Sequence, residues 1–155
     1  MRLFLLTLHV LGAVVALGFS LSYGLWIRRG EVVGATERSF ALRTVSWVDR
    51  RFTTPAYVLQ LVTGLLLVAV TDWARLRQSW LAISLGLYVL LTVLAIVRFA
   101  PAHRARTALA ERLSAGEPVQ AEYDAAAARA TRIGVLVTVL TVTIAVLMVW
   151  KPIWW

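Results

Sequence analysis

The sequence predicts an all-α fold, a four-helix transmembrane bundle with both termini outside and amphipathic cytoplasmic connecting helices. Three observations carry that expectation. First, 60% of the 155 residues are hydrophobic and 15% are charged, whereas a soluble domain carries roughly 45–50% and about 25%. Mean hydropathy is +0.77. Second, four apolar runs, residues 3–27, 55–71, 80–97 and 133–150, match the roughly 17–25 residues that a helix needs to cross a bilayer. In lipid each backbone amide must be paired within its own segment, which excludes open sheet. Third, the basic residues are sorted. Twelve of the 16 Lys and Arg lie in the connections 28–54 and 98–132, against Arg2, Arg75, Arg77 and Lys151 on the other side. Positive charge stays in the cytoplasm, so the chain reads as N-out/C-out in the plasma (inner) membrane. The whole of 1–155 reads as one integral membrane domain whose partner is the lipid bilayer. The absence of cysteine excludes disulfide-stapled and thiolate-metal domains.

The first run is longer than a signal-peptide core, lacks an A-x-A site and ends at Arg28 and Arg29. It therefore reads as a retained span. In residues 31–52, Ala41, Val45, Val48 and Phe52 share one helical face, which predicts a helix lying on the inner leaflet or leading into the second span. Thr54 precedes Pro55 and is pushed away from helical dihedrals, so a kink or break is expected there. Between Pro101 and Arg132, an Ala- and Arg-rich stretch is interrupted at residues 114–118, which predicts two short helices around a turn. These connectors read as solvated, with a docking surface for a cytosolic partner as the alternative. Trp26 and Trp47 fall at the inner interface, and Trp73, Trp80, Trp150, Trp154 and Trp155 at the outer one, as an aromatic belt requires. A net charge of +8 interleaved with apolar runs serves orientation and headgroups; no nucleic acid is expected as a partner.

Each span has a small or polar side. Gly12, Ala16, Ser20 and Gly24 form a stripe on the first, and Gly134, Thr138 and Thr141 one on the fourth. Such stripes let helix backbones approach closely, within the chain or in a homodimer or with another membrane partner. Gln60 and Thr63 mark the second span; Ser84, Tyr88 and Thr92 mark the third. His9 and Tyr23 project onto the stripe of the first span. An ionisable residue inside a membrane is costly, so a functional role is the first hypothesis for His9. A neutral imidazole can ligate haem iron, relay a proton or bond a quinone oxygen. The plainer role is a neutral histidine that donates to a threonine hydroxyl or a carbonyl between helices. Met148, at a similar depth, is a second possible haem ligand. Lys151 can snorkel to headgroups or clamp a carboxylate such as a haem propionate. No acidic pair lies within a span, and phosphate-binding loops and zinc motifs are absent from the sequence.

The motifs His9-Val10-Leu11-Gly12, an Arg-rich stretch before Pro55, Thr63-Gly64, Trp80, and Met148-Val149-Trp150-Lys151-Pro152 carry a resemblance along nearly the whole chain. It resembles a family of small four-span bacterial membrane proteins assigned to a domain of unknown function. More distantly it is similar to HemJ-type protoporphyrinogen oxidases and CopD-type membrane domains. The HemJ resemblance implies haem b held by the first-span histidine, which falls on His9. The third span departs from that pattern, because residues 81–96 hold no basic residue or histidine. One histidine with two methionines is also a poor copper site. Two functional readings follow. One is a redox or cofactor-binding membrane protein using His9, which as an enzyme would be a membrane oxidoreductase. The other is a non-catalytic accessory or assembly subunit that acts through helix contacts. A transporter ranks third, because no span breaks around convergent polar groups.

Overall fold

The computed structural model describes residues 1–152, apart from the side chain of Arg75; Trp154 and Trp155 of the expected aromatic belt lie outside the described residues. Four helical rods, Arg2–Val33, Ala35–Ala69, Ser79–Ser114 and Gln120–Trp150, are each long and apolar enough to cross a membrane. They run alternately up and down. Arg2, Pro152 and the 70–78 connection therefore lie at one end, the terminal end, and the arginine-rich connections lie at the other, basic end. The terminal end is tied where the Ser79 hydroxyl donates to the Pro152 carbonyl at 3.0 Å. Only 6–22% of each apolar window is buried inside the chain, so most apolar surface faces outward, where lipid would cover it.

The rods divide into α1 (Arg2–Val33), α2 (Ala35–Val48), α3 (Thr54–Ala69), α4 (Ser79–Leu94), α5 (Ala100–Ser114) and α6 (Gln120–Trp150). α1 packs along α2 and α3, and α6 along α4 and α5. The two pairs meet through α2 against α5 at the basic end, and through a short approach of α1 to α6. Elsewhere α3 keeps its backbone away from α4 and α6, so side chains bridge the two pairs.

The connections differ from solvated linkers. α1 runs to Val33 and α6 starts at Gln120, so both spans extend well past their apolar runs. The turn expected at residues 114–118 is present, between α5 and α6, but it joins extensions of the spans instead of two short separate helices. Inner faces of these extensions form the tightest core, with Leu42, Ala110 and Tyr123 fully buried against Ile27, Leu109, Leu113 and Ala127. α2 leads straight into the second span, one of the two arrangements its pattern allowed. Burial of apolar residues from four helices outweighs the solvation of their charged outer faces.

Of the kink or break expected at Thr54, the break does not occur. The helix instead opens into a π-helical turn, Asp49–Thr53, in which the Thr54 amide donates to the Asp49 carbonyl five residues back. Widening the turn makes room for Pro55, which has no amide to donate and would crowd a regular α-turn. The same device recurs before Pro101. The turn Ala95–Phe99 is π-helical, and the Ala100 amide donates to the Ala95 carbonyl. One extra residue per turn rotates the following face by about 100°. This explains a second departure from the sequence pattern: Thr53 is 1% exposed and Phe52 is 43% exposed, although Phe52 continues the apolar face in a regular helix.

Candidate functional site

His9 lies on α1 about 10 Å along the axis from the start of the helix and is half-buried against α3. Its partner there is Thr63, with 2.9 Å between Nδ1 and Oγ1. The Thr63 hydroxyl donates its single proton to the Leu59 carbonyl at 2.6 Å, so it can only accept from the ring. The ring is therefore protonated on Nδ1, and in its neutral form the lone pair is on Nε2. That atom has no hydrogen-bond partner among the described residues and is not sealed among side chains. Gly64 supplies the seat of the ring: a Cβ there would lie 3.2 Å from His9 Cε1. The Gln60 side-chain amide donates to the His9 backbone carbonyl, which fixes α1 against α3 in this register. The threonine-bonded role foreseen for His9 is thus present.

One turn further along α3, Tyr57 joins the spans at mid-depth. The Thr141 hydroxyl donates to the Val137 carbonyl at 2.9 Å, so at 3.3 Å the Tyr57 hydroxyl donates to Thr141. Ser20 then donates to Tyr57 at 3.2 Å. The Tyr88 hydroxyl donates to the Tyr57 backbone carbonyl at 2.6 Å, and the two rings meet edge to face. One residue of α3 thus bonds α1, α4 and α6. The sequence reading missed it, although Tyr57 stands three residues before Gln60 and six before Thr63, on the same polar side of the helix.

The other candidates are held separately. Tyr23 is about 21 Å along α1 from His9, where its hydroxyl meets that of Thr53 at 2.5 Å. Met148 is half-buried on α6. Lys151 closes α6 in the left-handed conformation, with φ 47°, and its ammonium lies 5.7 Å from the Trp80 ring centroid. Of the stripe residues, Gly12 and Ala16 are buried and Ser20 is bonded to Tyr57, whereas a Cβ on Gly24 would meet nothing within 4 Å. On α6, a Cβ on Gly134 would lie 3.2 Å from Phe99 Cε2, the Thr138 hydroxyl donates to the Gly134 carbonyl, and Thr141 serves Tyr57. Ser84 on α4 is fully buried and its hydroxyl has no partner among the described residues; nothing in the structure explains it.

The basic end holds a polar cluster that sequence reading passed over. Glu31 accepts from Arg106 at 2.6 Å and from the Tyr123 hydroxyl, and it pairs with Arg38 at 3.1 Å. Both guanidiniums also lie near the Tyr123 ring. Burial, above all, pushes the Tyr123 phenol up to about 12. Four helices meet at one carboxylate. Nearby, His103 stacks on Phe99 and lies 3.0 Å from the Ser46 hydroxyl. Burial, and after it the charge of Arg106, lowers the His103 pKa to about 4. No group of three or more His, Cys, Asp or Glu that could hold a metal ion occurs among the described residues.

Comparison with known proteins agrees with this architecture. No curated protein and no solved structure matches the chain. A family model described as a predicted integral membrane protein, DUF2269, matches residues 3–152, nearly the full length. The chain therefore belongs to the DUF2269 family of integral membrane proteins.

Proposed function

We propose that this is a cofactor-binding membrane protein of the redox class, in which Nε2 of His9 would hold the iron of haem b. The observation that carries the reading is the Nδ1 bond to Thr63. A ligating histidine donates its second ring N–H to a fixed acceptor, which sets the tautomer and the orientation of the ring. Thr63 does both here, and Gly64 leaves the ring its place. A lone-pair nitrogen left open in an apolar layer also gains from a partner. The resemblance to HemJ-type proteins supplies haem as the group. Met148 and Lys151 lie toward the same end of the bundle, as a second ligand from α6 and as a cation for a propionate. When bound, haem supplies one-electron chemistry; the chain supplies the ligand, its tautomer and an apolar surround. The arginine distribution supports an N-out/C-out orientation in the plasma membrane, which places His9 in the outer half. The outward apolar faces allow a homodimer or a membrane partner to pack beside His9.

The test is an absorption spectrum of detergent-purified protein, with and without dithionite, from cells supplied with haem precursor. A stoichiometric Soret band that shifts on reduction is expected. It should disappear in His9→Ala, and haem affinity should fall about 10–100-fold in Thr63→Val, the cost of losing such an outer partner. A folded, haem-supplied sample without a Soret band would overturn the reading. The chain would then be the non-catalytic membrane subunit whose spans make helix contacts.

A further inference from the structure

The exposed side of α2 carries a feature that the His9 site does not use. Arg43, Trp47, Arg50 and Arg51 recur at i, i+4, i+7 and i+8 on one face, opposite the buried Leu42, Val45 and Thr53. They line one shallow groove, and Phe40 and Thr44 extend it along the helix. Salt bridges among the described residues join Glu31 to Arg38 and Arg106, and Arg112 to Glu117; none involves the three groove arginines. The nearest carboxylate in sequence, Asp49, accepts from the Thr54 hydroxyl at 3.3 Å and is not part of the lining. The groove therefore concentrates three guanidinium charges around an indole, with the Asp49 carboxylate in electrostatic reach of Arg50.

A second observation says what kind of anion fits. From Trp47 an aromatic track leads away from the arginines toward the apolar span. The Trp47 ring meets Phe52 edge to face at 5.7 Å, and Phe52 meets Phe19 of α1 at 5.7 Å. Phe19 lies about 12 Å along α1 from Ile27, where the apolar run ends. A soluble phosphate would use the guanidiniums and leave that track bare. A phospholipid would use both, with its phosphate among the arginines and an acyl chain along the rings. We propose that this groove is a binding site for an anionic phospholipid, with Arg43, Arg50 and Arg51 holding the headgroup phosphate and Trp47, Phe52 and Phe19 bedding the chain. Arginine suits the role because its planar fork pairs phosphate oxygens two at a time. The site lies where a positive-inside protein faces the anionic leaflet.

The experiment is native mass spectrometry of the full chain released from detergent containing equal phosphatidylglycerol and phosphatidylcholine. The unaltered protein should retain phosphatidylglycerol preferentially. The triple variant Arg43→Gln, Arg50→Gln, Arg51→Gln should lose more than about tenfold of that retention, since each basic residue near an anionic surface contributes about fivefold. A control variant, Arg29→Gln, Arg104→Gln, Arg129→Gln, removes as much charge outside the groove and should keep it. Phe52→Ala should shorten retention without changing the preference between headgroups. Equal losses in the two triple variants would overturn the site in favour of diffuse charge. Displacement of the lipid by millimolar inorganic phosphate would overturn it in favour of a free-anion site. That displacement is read on the unaltered protein, so the proposal remains open to refutation even if the triple variant fails to fold.

Discussion

At the scale of single residues, two histidines each donate a ring proton to a hydroxyl group and differ in their surroundings. His9 gives its Nδ1 proton to Thr63 and keeps an open Nε2. His103 sits near Ser46, whose own proton goes to the Leu42 carbonyl at 2.9 Å, so the Nε2–H of the ring is the donor. Its folded pKa of about 4, set first by burial and then by Arg106, lies below the ordinary value of about 6.5. A depressed folded pKa means that stability is complete above pH 6.5 and is lost as pH falls toward 4, because the unfolded chain takes up the proton first. Thermal unfolding in detergent should show the midpoint falling through that window. In His103→Gln the fall should be shallower. An identical slope in the two proteins would remove His103 from the account. Both histidines were visible in the sequence; their partners were not, because Thr63 and Ser46 stand more than fifty residues away along the chain.

At the scale of elements, α1 and α2 approach each other closely at Gly30. The two turn back on each other at Gly34, and a Cβ on Gly30 would lie 2.8 Å from Ala41 Cβ and 2.9 Å from the Glu37 carbonyl oxygen. Backbone on that side cannot yield as a flexible side chain would. Gly30→Ala should therefore lower stability by about 1–3 kcal/mol, the cost of overpacking, whereas Gly24→Ala, with open space around it, should be neutral or slightly stabilising. Denaturation of the two variants side by side checks this; equal effects would sink it. The stripe of the first span was legible as small residues at a spacing of four. Which of them meets a neighbour was not, because spacing gives the face of a helix and says nothing of where the neighbouring helix ends. The two π-helical turns are a similar case. Pro55 announced an irregularity, but a break and a widened turn satisfy the same local rule; the turn before Pro101 was not foreseen. Continuous packing of α2 and α5 at the basic end favours the turn that keeps each rod intact.

At the scale of the whole molecule, the two helix pairs are fastened in different ways. At the basic end the fastening is a carboxylate shared by Arg38, Arg106 and Tyr123 over an apolar core. At mid-depth it is Tyr57, which reaches Ser20, Tyr88 and Thr141 on the three other rods. Hydrogen bonds between membrane helices average about 0.6 kcal/mol and reach about 1.7. Tyr57→Phe, which removes two of them and keeps the ring, should therefore cost about 1–2 kcal/mol. It should also weaken cross-linking yield between cysteines placed on α3 and α6 more than between α1 and α3. A uniform change across all pairs would argue against a bridging role.

The sequence by itself determined that this is a membrane protein with four helical spans, how the chain alternates between two ends, and that His9 is an unusual residue. Those properties follow from local hydropathy and from where charge lies along the chain, which the bilayer reads segment by segment. The tertiary structure decided which connections are packed, which glycine is tight, which threonine sets the tautomer of His9, and that Tyr57 ties the bundle together. Each of these depends on the rotation of one rod against another. A helical pattern fixes that rotation only to within a face, and a single extra residue in a turn moves the face by about 100°, so only the packed molecule settles it.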